Sequence, residues 1–213
     1  MRVGPAYPGG VKASHEYTMT TPSLEQVIAA LSRGAVVGIP TDTVYGIAAD
    51  PRNSVAVGRL FAIKERSEGK PVGLLVADIE SALAMVELPE YAVEWAMSYW
   101  PGPLNLVGFA RFELPEGVGE RTRGTVGVRV PDLAVTREIL AAFGALAVTS
   151  ANRSGESETL DETEARTALG DLVDLYVVGR CPGAVSSTTV DVTGPDPVLL
   201  RPGPLDLGLP TFS

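Results

Sequence analysis

The chain has 213 residues, 45% of them apolar and 20% charged, with a formal net charge of −9. That length fits one large domain with a substantial core, and the acidic balance disfavours general affinity for nucleic acid, which depends on many Lys and Arg contacts to phosphates. Cys181 is the single cysteine, which excludes an intramolecular disulfide or a cysteine-based metal cluster and fits a reducing cytosol. No apolar run reaches the length of about eighteen residues that a membrane span needs.

Residues 1–20 are rich in Gly and Pro, lack the apolar core of a secretory leader and read as a flexible arm. From Thr21, Pro22 suits a first helical position, and Leu24, Val27, Ile28 and Leu31 recur at helical spacing until Gly34. The apolar run Ala35 to Ile39 is a strand that delivers the polar loop Pro40-Thr-Asp-Thr, which turns on Gly46. Asn53 is an N-cap for a helix running to Arg66. Val72 to Ala77 reads as a buried strand; Asp78 caps a short helix, and another runs from Pro89 to Trp100. A turn, Trp100-Pro-Gly-Pro103, precedes a strand over Leu104 to Ala110, and a Gly- and charge-rich loop, 111–124, leads to a strand over Thr125 to Val130. Arg129 lies in that strand between Val128 and Val130, where an unpaired charge would be expensive; an anionic ligand or an internal carboxylate would answer it.

Asp132 caps a helix to Phe143, Gly144 ends it, and Ala145 to Thr149 is a strand emptying into Ser150-Ala-Asn152. A weaker helix over 161–169 is followed by strands near 173–178, 187–193 and 197–201, whose clustering suggests antiparallel pairing at that end. Strands alternating with helices predict a single α/β domain over 21–203: a twisted open mixed sheet with helices on both faces, followed by a short tail, 204–213. Ligands of such sheets gather at strand ends.

Neither a G-x-x-x-x-G-K-[ST] nor a G-x-G-x-x-G loop occurs, and G-x-S-x-G is absent. His15, the only histidine, falls in the arm, so a Ser-His or Cys-His nucleophile and a histidine metal site are improbable. The acidic run Asp161 to Glu164 reads as a solvated helix start. What remains at the strand ends is a set of hydroxyls, amides and fixed cations. Such groups bind carboxylates and phosphates and stabilise developing negative charge, but abstract protons poorly. Only three of the 17 basic residues are lysines, and Lys64 and Lys70 flank Arg66, which suggests point charges placed for phosphate or a capped helix end.

Eight separated motifs occur in order over residues 22–203: Pro40-Thr-Asp-Thr-Val-Tyr-Gly46, Ala62-Ile-Lys-Glu-Arg66, Lys70-Pro71, Trp100-Pro-Gly-Pro-Leu104, Val126-Gly-Val-Arg-Val-Pro131, Thr149-Ser-Ala-Asn152 with Ser154-Gly155, Ser187-Thr-Thr-Val-Asp191 and Leu200-Arg-Pro-Gly203. Together they resemble the YrdC/TsaC family of threonylcarbamoyl-AMP synthases. The resemblance implies a YrdC-like fold with a charged cavity, and a reaction of L-threonine, bicarbonate and ATP that gives threonylcarbamoyl-AMP and pyrophosphate. A tRNA threonylcarbamoyl-transferase of the same pathway would consume the product, so contact with tRNA itself would be indirect or weak.

The family's K-x-R and S-x-N pairs fall on Lys64, Arg66, Ser150 and Asn152, the implied catalytic set. Thr43, Arg129, Ser150 and Ser187 would hold threonine. Lys64, Arg66, Lys70, Thr125, Asn152 and Arg201 would hold ATP, with Mg²⁺ carried on the phosphates and no protein side chain assigned to the metal. The chain departs from the family at Glu156-Ser-Glu-Thr-Leu160, which is acidic and degenerate, and at Leu75, where some members carry histidine. Its end ten residues past Gly203 implies the short form of the family, and a cytoplasmic location follows from the implied role. The rival readings are a carbamoyl-adenylate-forming relative and a non-catalytic RNA-binding YrdC-like module.

Overall fold

In the computed structural model, which describes residues 21–64 and 71–209, the first element is a capped helix, α1 (Leu24–Ser32). Ser23 accepts from Gln26 N and the Gln26 side chain returns a bond to Ser23 N, a reciprocal cap that fixes the helix start. Pro22 therefore stands before the cap and not in the first turn. The arm expected over 1–20 lies outside the described residues.

The chain continues through β1 (Val37–Ile39), β2 (Gly46–Ala49), α2 (Ser54–Lys64), β3 (Gly73–Leu75), α3 (Ile79–Met85), β4 (Val86–Glu87) and α4 (Glu90–Tyr99). After these come β5 (Leu104–Ala110), β6 (Thr125–Arg129), α5 (Ala134–Phe143), β7 (Leu146–Ser150), α6 (Glu162–Leu169), β8 (Leu175–Tyr176), β9 (Thr188–Asp191) and β10 (Val198–Arg201). Asn53, Asp78 and Asp161 cap α2, α3 and α6 through side-chain oxygens, as their positions in the sequence predict. Asp132 does not cap α5. The half-in position falls on Leu133, and Asp132 turns instead toward Arg137. The short strands β2 and β4 were not anticipated, because two to four residues carry too little alternation to register.

Among the described residues the strands form one ten-stranded mixed sheet, ordered β10-β9-β5-β6-β3-β7-β2-β1-β8, with β4 paired to β5 off that path. The expected antiparallel pairing at the chain's end holds for β9 and β10. The third late strand, β8, crosses to the opposite edge and runs parallel to β1. No helix among the described residues is long and apolar enough to cross a membrane.

Two cores form because alternate strand residues face opposite ways. On one face, Ile47, Leu74, Leu106 and Val128 pack with Leu60 of α2, Ala82 of α3, Ala96 of α4 and Ala165 of α6. On the other, Val37, Ile39, Ala48, Leu75 and Leu146 pack with α1 and α5. Residues 204–209, expected as a tail, lie against the first core through Leu205, Leu207 and Leu209, and Leu205 N is hydrogen-bonded to Thr188 Oγ1 at 3.0 Å.

Leu60 is fully buried in the larger core, whereas Val55, on the same helix, is 75% exposed. Leu60→Ala is expected to lower the unfolding free energy by about 2–5 kcal/mol in urea titration, and Val55→Ala by no more than about 0.5 kcal/mol. Equal losses would contradict the assignment of α2 to the core.

Candidate active site

The second core stops short. Its buried residues come from α1, α5 and strands on the β8 side of the sheet, with Leu75 of β3 at its limit; none belongs to β5, β6, β9 or β10. That face of the remaining strands is the floor of a cavity of about 390 Å³. On β6, Val126 and Val128 enter the first core while Thr125, Gly127 and Arg129 line the cavity. The strand is thus apolar on one face only, although all five of its residues are buried. A side chain at Gly127 would put its Cβ 2.8 Å from Asn105 Nδ2, so bare backbone keeps this part of the floor open.

The loop between β1 and β2 supplies the deep wall. Thr41 Oγ1 donates to Val44 O, accepts from Thr43 N and lies 3.0 Å from Thr43 Oγ1, so the loop is braced by its own hydroxyls. Arg129 reaches this loop from β6. Its Nε donates to Gly102 O at 2.9 Å, its Nη1 to Thr43 Oγ1 at 2.9 Å and its Nη2 to Asp42 Oδ1. Both members of the Arg129–Asp42 pair are more than nine-tenths buried. Burial pulls the guanidinium below its ordinary pKa, the Asp42 charge opposes that, and Arg201 adds to it. The internal carboxylate that the sequence left open is therefore Asp42, which was not among the expected site residues. Gly183 closes against the same loop: a Cβ there would sit 2.6 Å from Asp42 O.

Lys64, at the end of α2, is buried, and its Nζ donates to Ser150 O (3.0 Å), Ser150 Oγ (3.1 Å), Asn152 O (2.6 Å) and Asn152 Oδ1 (2.5 Å). Ser150 Oγ also donates to Asn152 Oδ1 at 2.7 Å, and Asn152 Nδ2 to Glu156 O at 2.7 Å. One ammonium thus ties the strand end and the loop after it into a fixed shape. Ser150 lines the cavity; Lys64 and Asn152 join it from outside the lining, through Ser150.

On the β10 side, Arg201 Nε and Nη2 donate to Ser187 O (3.0 Å) and Ser187 Oγ (2.9 Å). Ser187 is buried and Arg201 is exposed, so Arg201 carries no burial cost of the kind Arg129 does; β10 is an edge strand with little cover. At the opposite rim, Thr125 is buried in the wall, and Arg123 Nη2 donates to Asp191 Oδ2 (3.0 Å) and Thr193 Oγ1 (3.1 Å).

The cavity therefore brings together Thr43, Thr125, Arg129, Ser150, Ser187 and Arg201, six of the ten residues singled out in the sequence. Lys64 and Asn152 attach to it; Arg66 and Lys70 lie outside the described residues. Sequence reasoning missed Asp42, Asn105 and Arg123. Asp42 had a signal, since it sits inside the Pro40 to Gly46 motif. Arg123, in a loop among other charges, had none.

A mixed α/β sheet whose uncovered half presents hydroxyls and guanidinium groups defines a protein that binds small anionic molecules across its strand ends. The chain belongs to the Sua5/YciO/YrdC family, whose profile, described as "Telomere recombination", matches residues 29–203. A protein of Mycobacterium tuberculosis is 41% identical over 180 residues, which are 84% of this chain and 82% of that protein. The threonylcarbamoyl-AMP synthase of Mus musculus is 33% identical over 201 residues, 90% of this chain and 70% of that one. The crystal structure of P. abyssi Sua5 complexed with L-threonine superposes with a TM-score of 0.81 at 30% identity, covering 87% of this chain; the chain spans 55% of the length of that protein.

Removing Asp42 leaves a buried guanidinium uncompensated, so Asp42→Ala is expected to cost about 3–5 kcal/mol in urea titration. The double variant Asp42→Ala/Arg129→Met should recover part of that loss; no recovery would show that the two side chains act independently.

Cys181, whose Sγ accepts from Thr41 N of the same loop at 3.3 Å, carries a pH dependence that comes from burial and that this bond partly offsets. Burial pushes the Cys181 thiol up to about 11 from its ordinary 9.0, and burial pushes Tyr176 up to about 12 from 10.0. The folded chain keeps these protons after the unfolded chain has released them. The stability they contribute is complete below pH 9 and is lost as the pH rises through 11 to 12. Stability measured against pH should therefore fall more gently in Cys181→Ala than in the unaltered chain; identical slopes would remove the thiol from this account.

Proposed function

We propose that this chain is a threonylcarbamoyl-AMP synthase: it forms threonylcarbamoyl-AMP and pyrophosphate from L-threonine, bicarbonate and ATP. The observation that carries the reading is the single cavity lined by Thr43, Arg129, Ser150, Ser187 and Arg201, which come from five separate parts of the sequence. The name of the mouse relative and the threonine bound to P. abyssi Sua5 support it.

Arg129, Thr43 and Ser187 form the threonine end. Three donors of Arg129 are engaged by Gly102, Thr43 and Asp42, and its remaining N–H groups receive the threonine carboxylate. Ser150 belongs to that end as well; Thr125, Asn152 and Arg201 align ATP beside it, and Arg66 and Lys70 are assigned to the phosphates on the family motif alone. The threonine nitrogen and bicarbonate combine with loss of water to a carbamate. A carbamate oxygen then bonds to the α-phosphorus as the bond to the β-phosphate oxygen breaks and pyrophosphate leaves. Among the described residues the lining holds no histidine, and the rate comes from alignment and from cations facing the phosphates. Lys64 serves this by holding Ser150 and Asn152 in register, whatever direct contact it makes. Mg²⁺ neutralises phosphate charge when bound. The hydroxyl of Ser150 in the wall suits an ion that keeps several of its waters.

The domain over 21–203 carries all of these residues, with residues 1–20 as an arm and 204–213 as a tail. Its product, a mixed anhydride, suits a tRNA threonylcarbamoyl-transferase acting in the cytoplasm; tRNA contact is indirect or weak.

Incubation with ATP, L-threonine and labelled bicarbonate should yield the labelled adenylate by mass, and omission of threonine should stop pyrophosphate release. Lys64→Met and Arg66→Ala are each expected to lower threonine-dependent release by about 100-fold or more with the circular dichroism spectrum unchanged. Full turnover in both variants would end the site assignment.

A further inference from the structure

The assignments above leave unused the part of the cavity wall just before Thr125, the turn over residues 120–124. Glu120 N and O pair with Thr125 O and N at 2.7 and 3.1 Å, a small closed hairpin whose Glu120 and Arg123 side chains line the cavity. Arg123 is not a loose surface cation. Its Nη2 is held by Asp191 and Thr193, and Asp191 is itself fixed by Thr193 N (2.9 Å) and Thr193 Oγ1 (2.5 Å). Among the described residues, no hydrogen bond engages Arg123 Nε or Nη1, so the open edge of a braced guanidinium is presented beside Thr125.

Sheet register sets the scale. Extending the β3 pairings back to Pro71 puts Thr125 and Ser150 on one level, two strand spacings or about 10 Å apart. Phe109, 46% exposed, is directly opposite Thr125 on β5, one strand further from Ser150. The two ends differ in charge. At the Ser150 end an ammonium is buried in the supporting loop, while at the Thr125 end Arg123 is already paired with Asp191 and Glu120 adds a second carboxylate. A triphosphate is repelled by that pair of acids; a neutral ring with acceptors and an amine is not.

We propose that this turn reads the purine of the nucleotide: Arg123 donates to the ring nitrogen N7, Glu120 accepts from the exocyclic amine of adenine, and Phe109 supplies an apolar surface beside them. The inference rests on the ATP-using activity proposed above and adds a specificity device to it. Glu120 Oε1 accepts from Thr122 N at 3.2 Å, which leaves Oε2 for the amine. Guanine presents a carbonyl oxygen where adenine has the amine, and a carboxylate repels it.

The test is equilibrium binding of ATP and of GTP to the full chain, with threonine present, for the unaltered protein, Glu120→Gln and Arg123→Met. Glutamine keeps the oxygen that Thr122 needs and adds an amide donor that guanine accepts. The unaltered chain should prefer ATP, Glu120→Gln should narrow that preference by about 10-fold, and Arg123→Met should weaken both nucleotides by about 10-fold with the preference retained. Melting temperatures of the three proteins should agree, since both side chains stand at the cavity wall and not in the core. An unchanged preference in Glu120→Gln, or equal binding by Arg123→Met and the unaltered chain, overturns the inference, as does a chain that binds neither nucleotide. Discrimination that Glu120→Gln erases in a chain without threonine-dependent pyrophosphate release would leave the base site standing and defeat the synthase reading instead.

Discussion

The buried contact between Arg129 and Asp42 is the constraint on which the rest of the cavity depends. A guanidinium buried against a sheet is unfavourable unless its charge and donors are met. Asp42, Thr43 and Gly102 meet them from two different loops, one after β1 and one before β5. The pair therefore fixes how those loops stand over the sheet, and with them the depth and shape of the cavity.

A second tie of the same kind works on the other side. Lys64 carries α2 to the loop after β7 by four contacts to Ser150 and Asn152. In both ties a cation from a regular element is spent on the backbone and hydroxyls of a loop. Loops held this way need little rearrangement to align two small molecules. It also blurs the line between substrate-binding and positioning residues. Lys64 reads in the sequence as a phosphate cation, and in the structure it shapes the serine that lines the cavity.

The concavity itself is a consequence of incomplete cover. Four helices pack one face of the sheet, whereas α1 and α5 cover only part of the other. The strands left bare, β5, β6, β9 and β10, show mostly polar or glycine residues on that side, Asn105, Thr125, Gly127 and Thr189, with Val107 among them. Alternation along a strand turns a lack of helical cover directly into a polar floor.

The amino-acid order alone determined most of the elements, because these rest on local physics, and the order of its separated motifs, through their resemblance to a known family, named six residues of the cavity. Helical spacing in α1, the Asp and Asn caps, and hydroxyls gathered after apolar runs are all properties of neighbouring residues. Which cations share a cavity is not such a property. Arg129 and Asp42 are 87 positions apart, and Lys64 and Asn152 are 88 apart. Only the crossing of β8 to the far edge, the half-covered face and the register that sets Thr125 level with Ser150 brought those groups together. The sequence could name charged residues that needed partners; long-range strand pairing decided which partners they received.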